Sequence, residues 1–276
     1  MNMKYFISAS LCLLYLQTMA QNNAGVQLYS FREQFKKDIP STVKKINEMG
    51  ITAVEGGDSY GMPAEAFRDL LHQNNIRVVS IGADYNELQN QPEQVIARAK
   101  LYGADYVVCF WIPHQAEQLT VAEADAGAAV FNKAGAILKA AGLSLCYHPH
   151  GYEFAPAEGE TVFDYFLRKT DPASCNIEMD VFWIKQPGQD PLALMGKYPQ
   201  RIKLMHLKDR KIGTPDSNNG RADVESNVTL GEGDVGIAAI VREDRRMKIP
   251  YLFIEDESSR SMEQVPKSLS FIKAVK

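Results

Sequence analysis

The chain has 276 residues, long for one ordinary domain but matched to an α/β barrel, which takes about 250 residues as a single unit. Hydrophobic residues make up 45%, enough for a sizeable core, while the 23% of charged residues leave a formal net charge of −4 and no basic run. Binding to bulk nucleic acid through its phosphates needs a clustered positive footprint, so no nucleic-acid partner is expected.

The first element is a targeting segment. Lys4 supplies a positive start, Phe6 to Leu16 form an apolar run, and Thr18-Met19-Ala20 offers a small-residue cleavage site before Gln21. The run is short for a membrane span and lacks a charged stop-transfer flank, so residues 1–20 read as a signal peptide. The expectation is a secreted, periplasmic protein with no stable membrane insertion after cleavage; an uncleaved anchor helix is the alternative. Leu11 before Cys12 argues against lipid attachment. Cys12 leaves with the signal, and Cys109, Cys146 and Cys175 fall on apolar runs, where they read as small buried hydrophobes without a disulfide.

From about residue 24 to 276 short apolar runs alternate with amphipathic stretches. The runs are Val26–Tyr29, Ala53–Glu55, Arg77–Ile81, Tyr106–Phe110, Ser144–His148, Asn176–Asp180, Ile202–His206 and Tyr251–Glu255. The helical stretches are Thr42–Met49, Ala64–Gln73, Pro92–Tyr102, Val121–Ala141, Val162–Lys169, Pro191–Tyr198, Ile237–Arg246 and Val265–Val275. Met49-Gly50, Tyr102-Gly103 and Ala141-Gly142 place glycine just past a helix end, where left-handed geometry caps it. Strand-first alternation of this kind predicts an α/β fold, a single (β/α)₈ barrel, with a doubly wound open sheet as its rival. One connection is oversized. The polar, glycine-rich stretch after the seventh strand, with Asn218-Asn219-Gly220 and Gly231-Glu232-Gly233, is expected to cover a substrate at the C-terminal face.

Four successive strands finish on metal-competent side chains: His148, Asp180, His206 and Glu255. Each alone has a structural reading as a core histidine, a cap or a rim residue. Together, at the same end of four neighbouring strands of a closed barrel, they predict one divalent metal ion. The mixed nitrogen and oxygen shell suits Mn²⁺, Co²⁺, Zn²⁺ or Fe²⁺. Glu178 shares a face with Asp180 and competes for the ligand role, or supports a ligand from below. His150, Glu153, Lys208 and Asp209 crowd the same mouth. Tyr29, Trp111 and Trp183 fall at strand ends, where aromatic faces suit a sugar ring and where rim packing is the plainer reading.

At these residues the sequence resembles the xylose isomerase-like TIM barrels, the sugar phosphate isomerase/epimerase group that also includes endonuclease IV-type enzymes. The resemblance runs from about residue 25 to the end. It rests on Tyr147-His148-Pro149-His150-Gly151-Tyr152-Glu153-Phe154, on Glu178 to Trp183, on His206-Leu207-Lys208-Asp209, on Gln27-Leu28-Tyr29-Ser30 with Arg32, and on Gly231-Glu232-Gly233. It implies a metal held by the ends of strands five to eight, which map to His148, Asp180, His206 and Glu255. Gly82 stands where relatives often place a histidine, and Pro149 where an asparagine is usual. A histidine in place of the family's strand-five glutamate also departs from the two-glutamate proton shuttle of its epimerases.

The chemistry expected is proton abstraction next to the carbonyl of an unphosphorylated keto sugar, with the metal as Lewis acid. Glu255 would be the base, Glu153 or His150 the acid, and Lys208 would hold an oxygen. An isomerase or epimerase leads the expectation. The main alternative is a 3-keto-glycoside lyase, reached by β-elimination from the same intermediate. A non-catalytic sugar-binding barrel is the rival from another class, an endonuclease-type repair enzyme conflicts with export and acidity, and homo-oligomerisation stays open.

Overall fold

The computed structural model describes residues 24–276; the expected signal segment lies outside the described residues. Eight parallel strands close on themselves: β1 Ala24–Gln27, β2 Ala53–Gly56, β3 Arg77–Gly82, β4 Tyr106–Cys109, β5 Ser144–Tyr147, β6 Cys175–Asp180, β7 Ile202–Leu207 and β8 Tyr251–Ile254. Closure is explicit in the pairing of β1 with β8, where Ala24, Gly25 and Val26 face Leu252, Phe253 and Ile254. An open doubly wound sheet leaves those edges apart. The barrel is therefore the α/β fold of this chain.

Eight outer helices fill the crossovers: α1 Ile39–Glu48, α2 Ala64–Gln73, α3 Pro92–Tyr102, α4 Val121–Ala140, α5 Val162–Lys169, α6 Pro191–Lys197, α7 Ile237–Met247 and α8 Ser261–Ala274. Local chemistry starts them where they start. Thr120 and Glu123 form a reciprocal capping box on α4, Thr161 and Asp164 another on α5, and Pro92 opens α3. Gly103 ends α3 at φ 67°, a backbone state that costs other residues a Cβ clash. Among the described residues no helix is long and apolar enough to cross a membrane.

The pore is filled from below. Val79, Val108, Cys146, Leu204 and Phe253 form a small apolar cluster inside the barrel, separate from the large layer between sheet and helices. Tyr251 stacks on Phe253 and meets Tyr106 edge-on beneath it. Above that plug the inward positions turn polar: Gln27, Glu55, Ser80, Glu178 and His206 are all buried. Buried polar side chains of the pore thus gather toward the C-terminal mouth. Cys109, Cys146 and Cys175 are buried free thiols, as the sequence indicated.

Boundaries differ from the sequence reading at the mouth. β1 stops at Gln27, and Leu28–Phe31 make a 3₁₀ turn because the Gln27 side chain accepts from the Tyr29 N–H (3.1 Å). Tyr29 thus sits on a turn, while His148 and Glu255 lie one residue past β5 and β8. The long connection after β7 opens with a short ladder, Asp209–Arg210 against Asn227–Val228, and folds back over the mouth.

Asp244 on α7 is buried, and its Oδ1 has no hydrogen-bond partner. Burial pushes its carboxyl up to about 7. With the folded value above the ordinary one of ~3.9, stability is intact below pH ~4 and falls as pH rises through about 7. Asp244→Asn should therefore stabilise the protein by about 1–3 kcal/mol at pH 8, and the gain should vanish near pH 4, read from urea unfolding at both values. A gain that does not depend on pH would contradict this account.

Candidate active site

Each strand tip delivers one side chain to the same point. His148 leaves β5 with its backbone N–H on the Cys109 carbonyl (3.0 Å), which fixes the direction of its ring. Its Nδ1 meets Glu178 Oε2 at 3.0 Å, and its Nε2 lies 3.7 Å from Asp180 Oδ2. Asp180 divides its oxygens. Oδ1 caps the short helix Val181–Lys185 by accepting from the Phe182 and Trp183 N–H groups (2.8 and 3.2 Å), and this turns Oδ2 into the pore. His206 Nδ1 stands 3.4 Å from Glu255 Oε2 and 4.0 Å from Asp180 Oδ2. Its Nε2 meets Glu55 Oε1 at 2.8 Å.

Two overlapping triads therefore have donor atoms within 4.8 Å of one another: Asp180, His206 and Glu255, and His148, Glu178 and His206. Asp180 Oδ2, His206 Nδ1 and Glu178 Oε1 are fully buried and lack any hydrogen-bond partner, a costly state unless something else ligates them. Asp180 Oδ2 faces His148 Nε2 (3.7 Å) and His206 Nδ1 faces Glu255 Oε2 (3.4 Å). The remaining contacts of the acids decide between the triads. Glu178 and Glu55 contact the outer nitrogens of the two imidazoles, the position of carboxylates that orient metal-ligating histidines. The structure thus brings His148, Asp180, His206 and Glu255 together and sets Glu178 beneath them. This donor set is consistent with a divalent cation.

Electrostatics agree. Asp180, Glu255 and Glu257 surround Lys208, whose Nζ lies 2.7 Å from Glu255, 2.5 Å from Glu257 and 3.9 Å from Asp180, while Glu55 and Glu178 face His206. Burial, reinforced by Glu55, holds the Glu178 carboxyl well above its usual range. Burial also raises Asp180, to about 6, against the pull of Lys208. For Glu255 burial is outweighed by Lys208 and His206, which hold its carboxyl well below the usual range. Burial opposes the charged form of His206, but Glu178 and Glu55 prevail and raise it.

Two cavities open on this centre. One of about 1050 Å³ is bordered by Gln27, Tyr29, His148, His150, Glu255 and Glu257 among others. Another of about 490 Å³ lies between Trp183, Lys208 and the long loop. His150 and Glu257 line both. Burial and the nearby Lys208 lower the His150 imidazole to about 4, so it is neutral at physiological pH.

The remaining expected site residues separate. Tyr29 is 48% exposed on the rim of the larger cavity, with the Arg32 guanidinium over its ring (4.5 Å). Trp111 packs against His114 (ring centroids 4.1 Å apart) and lines neither cavity. Glu153 turns away. Its carboxylate accepts from the Tyr147 hydroxyl and the His150 N–H (3.1 Å), and burial raises it to about 7. Its place is under the His148–His150 turn, outside both cavities. Asp209 is a clasp: it accepts from the N–H groups of Gly231 (2.8 Å), Gly233 (3.0 Å) and Val235 (3.2 Å). A Cβ on Gly233 would lie 2.3 Å from Asp209 Oδ1 and from the Arg210 carbonyl oxygen, which is why glycine stands there.

Glu55 and Glu257 were not singled out by sequence reasoning. A signal for Glu55 existed, an acid in the otherwise apolar run Ala53-Val54-Glu55. Glu257 had a weaker one, being two residues from Glu255 beyond a strand end.

Comparison with known proteins bears on this arrangement. The chain is 25% identical over 144 residues to an inosose dehydratase of Clostridium beijerinckii, covering 52% of this chain and 42% of that protein. It is 26% identical over 219 residues to one of Clostridium perfringens, covering 75% of this chain and 67% of that protein. The match thus spans between about two fifths and two thirds of these relatives' length. A solved sugar phosphate isomerase/epimerase from Parabacteroides distasonis shares the fold with a TM-score of 0.77 at 23% identity, over 92% of this chain and 99% of that one. The model of the family described as xylose isomerase-like TIM barrel matches residues 43–275, and the chain belongs to that family.

Proposed function

We propose that the chain is a divalent-metal-dependent carbohydrate enzyme that removes a proton next to the carbonyl of an unphosphorylated keto sugar and expels the group on the neighbouring carbon by β-elimination. The observation that carries this reading is the pair of orphaned, buried atoms, Asp180 Oδ2 and His206 Nδ1, facing His148 Nε2 and Glu255 Oε2 at the mouth of a polar cavity. These four residues would hold Mn²⁺, Co²⁺, Zn²⁺ or Fe²⁺. When bound, the ion supplies Lewis-acid polarisation of the carbonyl, a contribution of several kcal/mol.

The chain's own residues supply the proton transfers. For a 3-keto-glycoside, Glu255 takes the proton from C2 and the electron pair forms the C1–C2 double bond as the C1–O bond breaks. Lys208 gives a proton to the departing oxygen and regains one from Glu255, 2.7 Å away. Glu257 keeps Lys208 charged and oriented. His150 lines the same cavity and, neutral at physiological pH, suits a sugar hydroxyl.

Elimination is preferred over isomerisation or epimerisation for two reasons. Epimerisation needs acid–base groups on opposite faces of the reacting carbon, whereas Glu255 and Glu257 both follow β8 and Glu153 lies outside the cavity. The curated relatives are also named dehydratases, and loss of water from a keto cyclitol is an elimination. A neutral substrate is supported by the cations of the larger cavity, each already engaged: Lys36 with Glu33, Arg98 with Glu87, Arg32 with the Glu257 carbonyl. A phosphate in that cavity would have to displace these partners. Export, read from the first twenty residues, fits the same substrate class.

Two outcomes test this. Protein loaded with Mn²⁺ or Co²⁺ should convert a 3-keto-glucoside to a conjugated enone and free aglycone while leaving free ketoses unchanged; isomerised ketose with intact glycoside would refute elimination, and inertness toward both would leave a sugar-binding barrel. Lys208→Met should lower kcat by about 10²–10⁴-fold with metal retained. Independently, His206→Ala should lose its equivalent of metal, and Glu55→Gln should weaken metal affinity by about 10–100-fold in a chelator competition. Full retention by both variants would remove the proposed centre.

A further inference from the structure

The smaller cavity plays no part in gathering the metal donors, yet it is a built chamber. Its outer wall is the loop that follows β7, and that loop is pinned along its length. Arg210 pairs with Asp216 (2.7 Å), the Ser217 N–H donates to the Gln186 carbonyl (2.7 Å), and the Gln186 side chain donates to the Pro215 carbonyl (3.0 Å). Gly220 packs so close to Tyr152 that a Cβ there would lie 2.7 Å from its ring. The floor is Trp183 with the stem of Lys208, whose ammonium lies 5.7 Å from the indole centroid.

Lys208 lines this chamber and not the larger one. If Lys208 protonates the departing oxygen, whatever that oxygen carries must extend into the chamber. Departing water would need only about 30 Å³, its share of liquid volume. The chamber offers about 490 Å³, within the range of ~300–1,000 Å³ of small-molecule sites. Its chemistry is mixed. Trp183, Ala222 and Val224 present apolar surface, while the exposed Arg221 and the amide of Asn227 present donors. Asn227 is held in place because its Oδ1 accepts from the Glu257 N–H (2.9 Å).

We infer that the smaller cavity is a subsite for the leaving half of the substrate, and that the preferred substrate is a keto sugar glycosidically joined to a second sugar ring. The inference rests on the elimination reading, and it adds the substrate class: a disaccharide derivative rather than a free monosaccharide. A sugar ring matches the lining, with its C–H face for the indole and its hydroxyls for Arg221 and Asn227. Binding energy from that remote ring can be spent at the reacting centre, so truncated substrates should lose kcat as well as affinity.

The test compares the 3-keto derivatives of cellobiose and of methyl β-glucoside on metal-loaded protein. The cellobiose derivative should show kcat/KM about tenfold or more above the methyl glycoside, and Val224→Trp, which fills the chamber from its exposed loop, should bring that ratio close to one without loss of bound metal. Equal kcat/KM values in the unmodified protein, or the same fractional loss on both substrates in Val224→Trp, overturn the inference. Calorimetry with unoxidised cellobiose and methyl β-glucoside separates this result from the fate of the elimination reading. Tighter cellobiose binding that Val224→Trp abolishes upholds the subsite even if neither keto sugar is consumed, in which case only the elimination reading falls. Equal affinities for the two sugars sink the subsite whatever the chemistry.

Discussion

Carboxylates out of water repel one another, and this constraint organises the whole mouth of the barrel. Glu55, Glu178, Asp180 and Glu255 sit within a few ångströms of two imidazoles and one ammonium, all nearly or fully buried. Ionising such a group without a partner is prohibitive in a low-dielectric interior, so each must share a proton, meet a cation or ligate one. The arrangement uses the first two and leaves donor atoms suited to the third. Glu178 is pushed toward its protonated form, Glu255 is held ionised by Lys208 and His206, and two donor atoms are left unpartnered where a dication fits. Removing one member therefore disturbs the charge state of the others, and single substitutions here should not be additive.

The barrel serves this cluster by geometry. Parallel strands, closed through β1 and β8, bring the residues at or just past their C-terminal ends together above an apolar plug. Side chains one layer lower, Glu55 and Glu178, then fall beneath the upper ones and orient them. The long connection after β7 adds a wall that the barrel alone does not supply. Asp209 anchors the far end of that connection through three backbone N–H groups, so the Lys208-Asp209 pair joins chemistry to scaffold within two residues.

Much of this was legible in the sequence because period and punctuation are local. Strand-first alternation, glycine after α3 and polar residues ending four neighbouring strands required no knowledge of distant contacts. What was not legible is orientation. Glu153 reads as a mouth carboxylate, yet Gly151 at φ 99° turns the backbone so that the acid is spent on Tyr147 and on the turn itself. Trp111 follows a strand run as expected but packs against His114 outside both cavities. For Asp180 the capping and the pore-facing readings are both true, one for each oxygen, which spacing along the chain cannot express. The acid at Glu55 was visible in its apolar run, but its pairing was not, because its partner His206 lies 151 positions away.

Burial of the three thiols has a consequence for the life of the protein. Cys109, Cys146 and Cys175 are enclosed, and desolvation pushes Cys109 up to about 12, Cys175 to about 11 and Cys146 still higher than its ordinary range. Thiolate is the reactive form, so these three thiols are poorly reactive in the native molecule without any disulfide to guard them. That protection is absent until the helices cover Cys109 and Cys175 and the closed pore encloses Cys146. In an oxidising compartment the hazard of mispaired sulfur would thus fall on the nascent chain, and prompt burial of these side chains would be its safeguard.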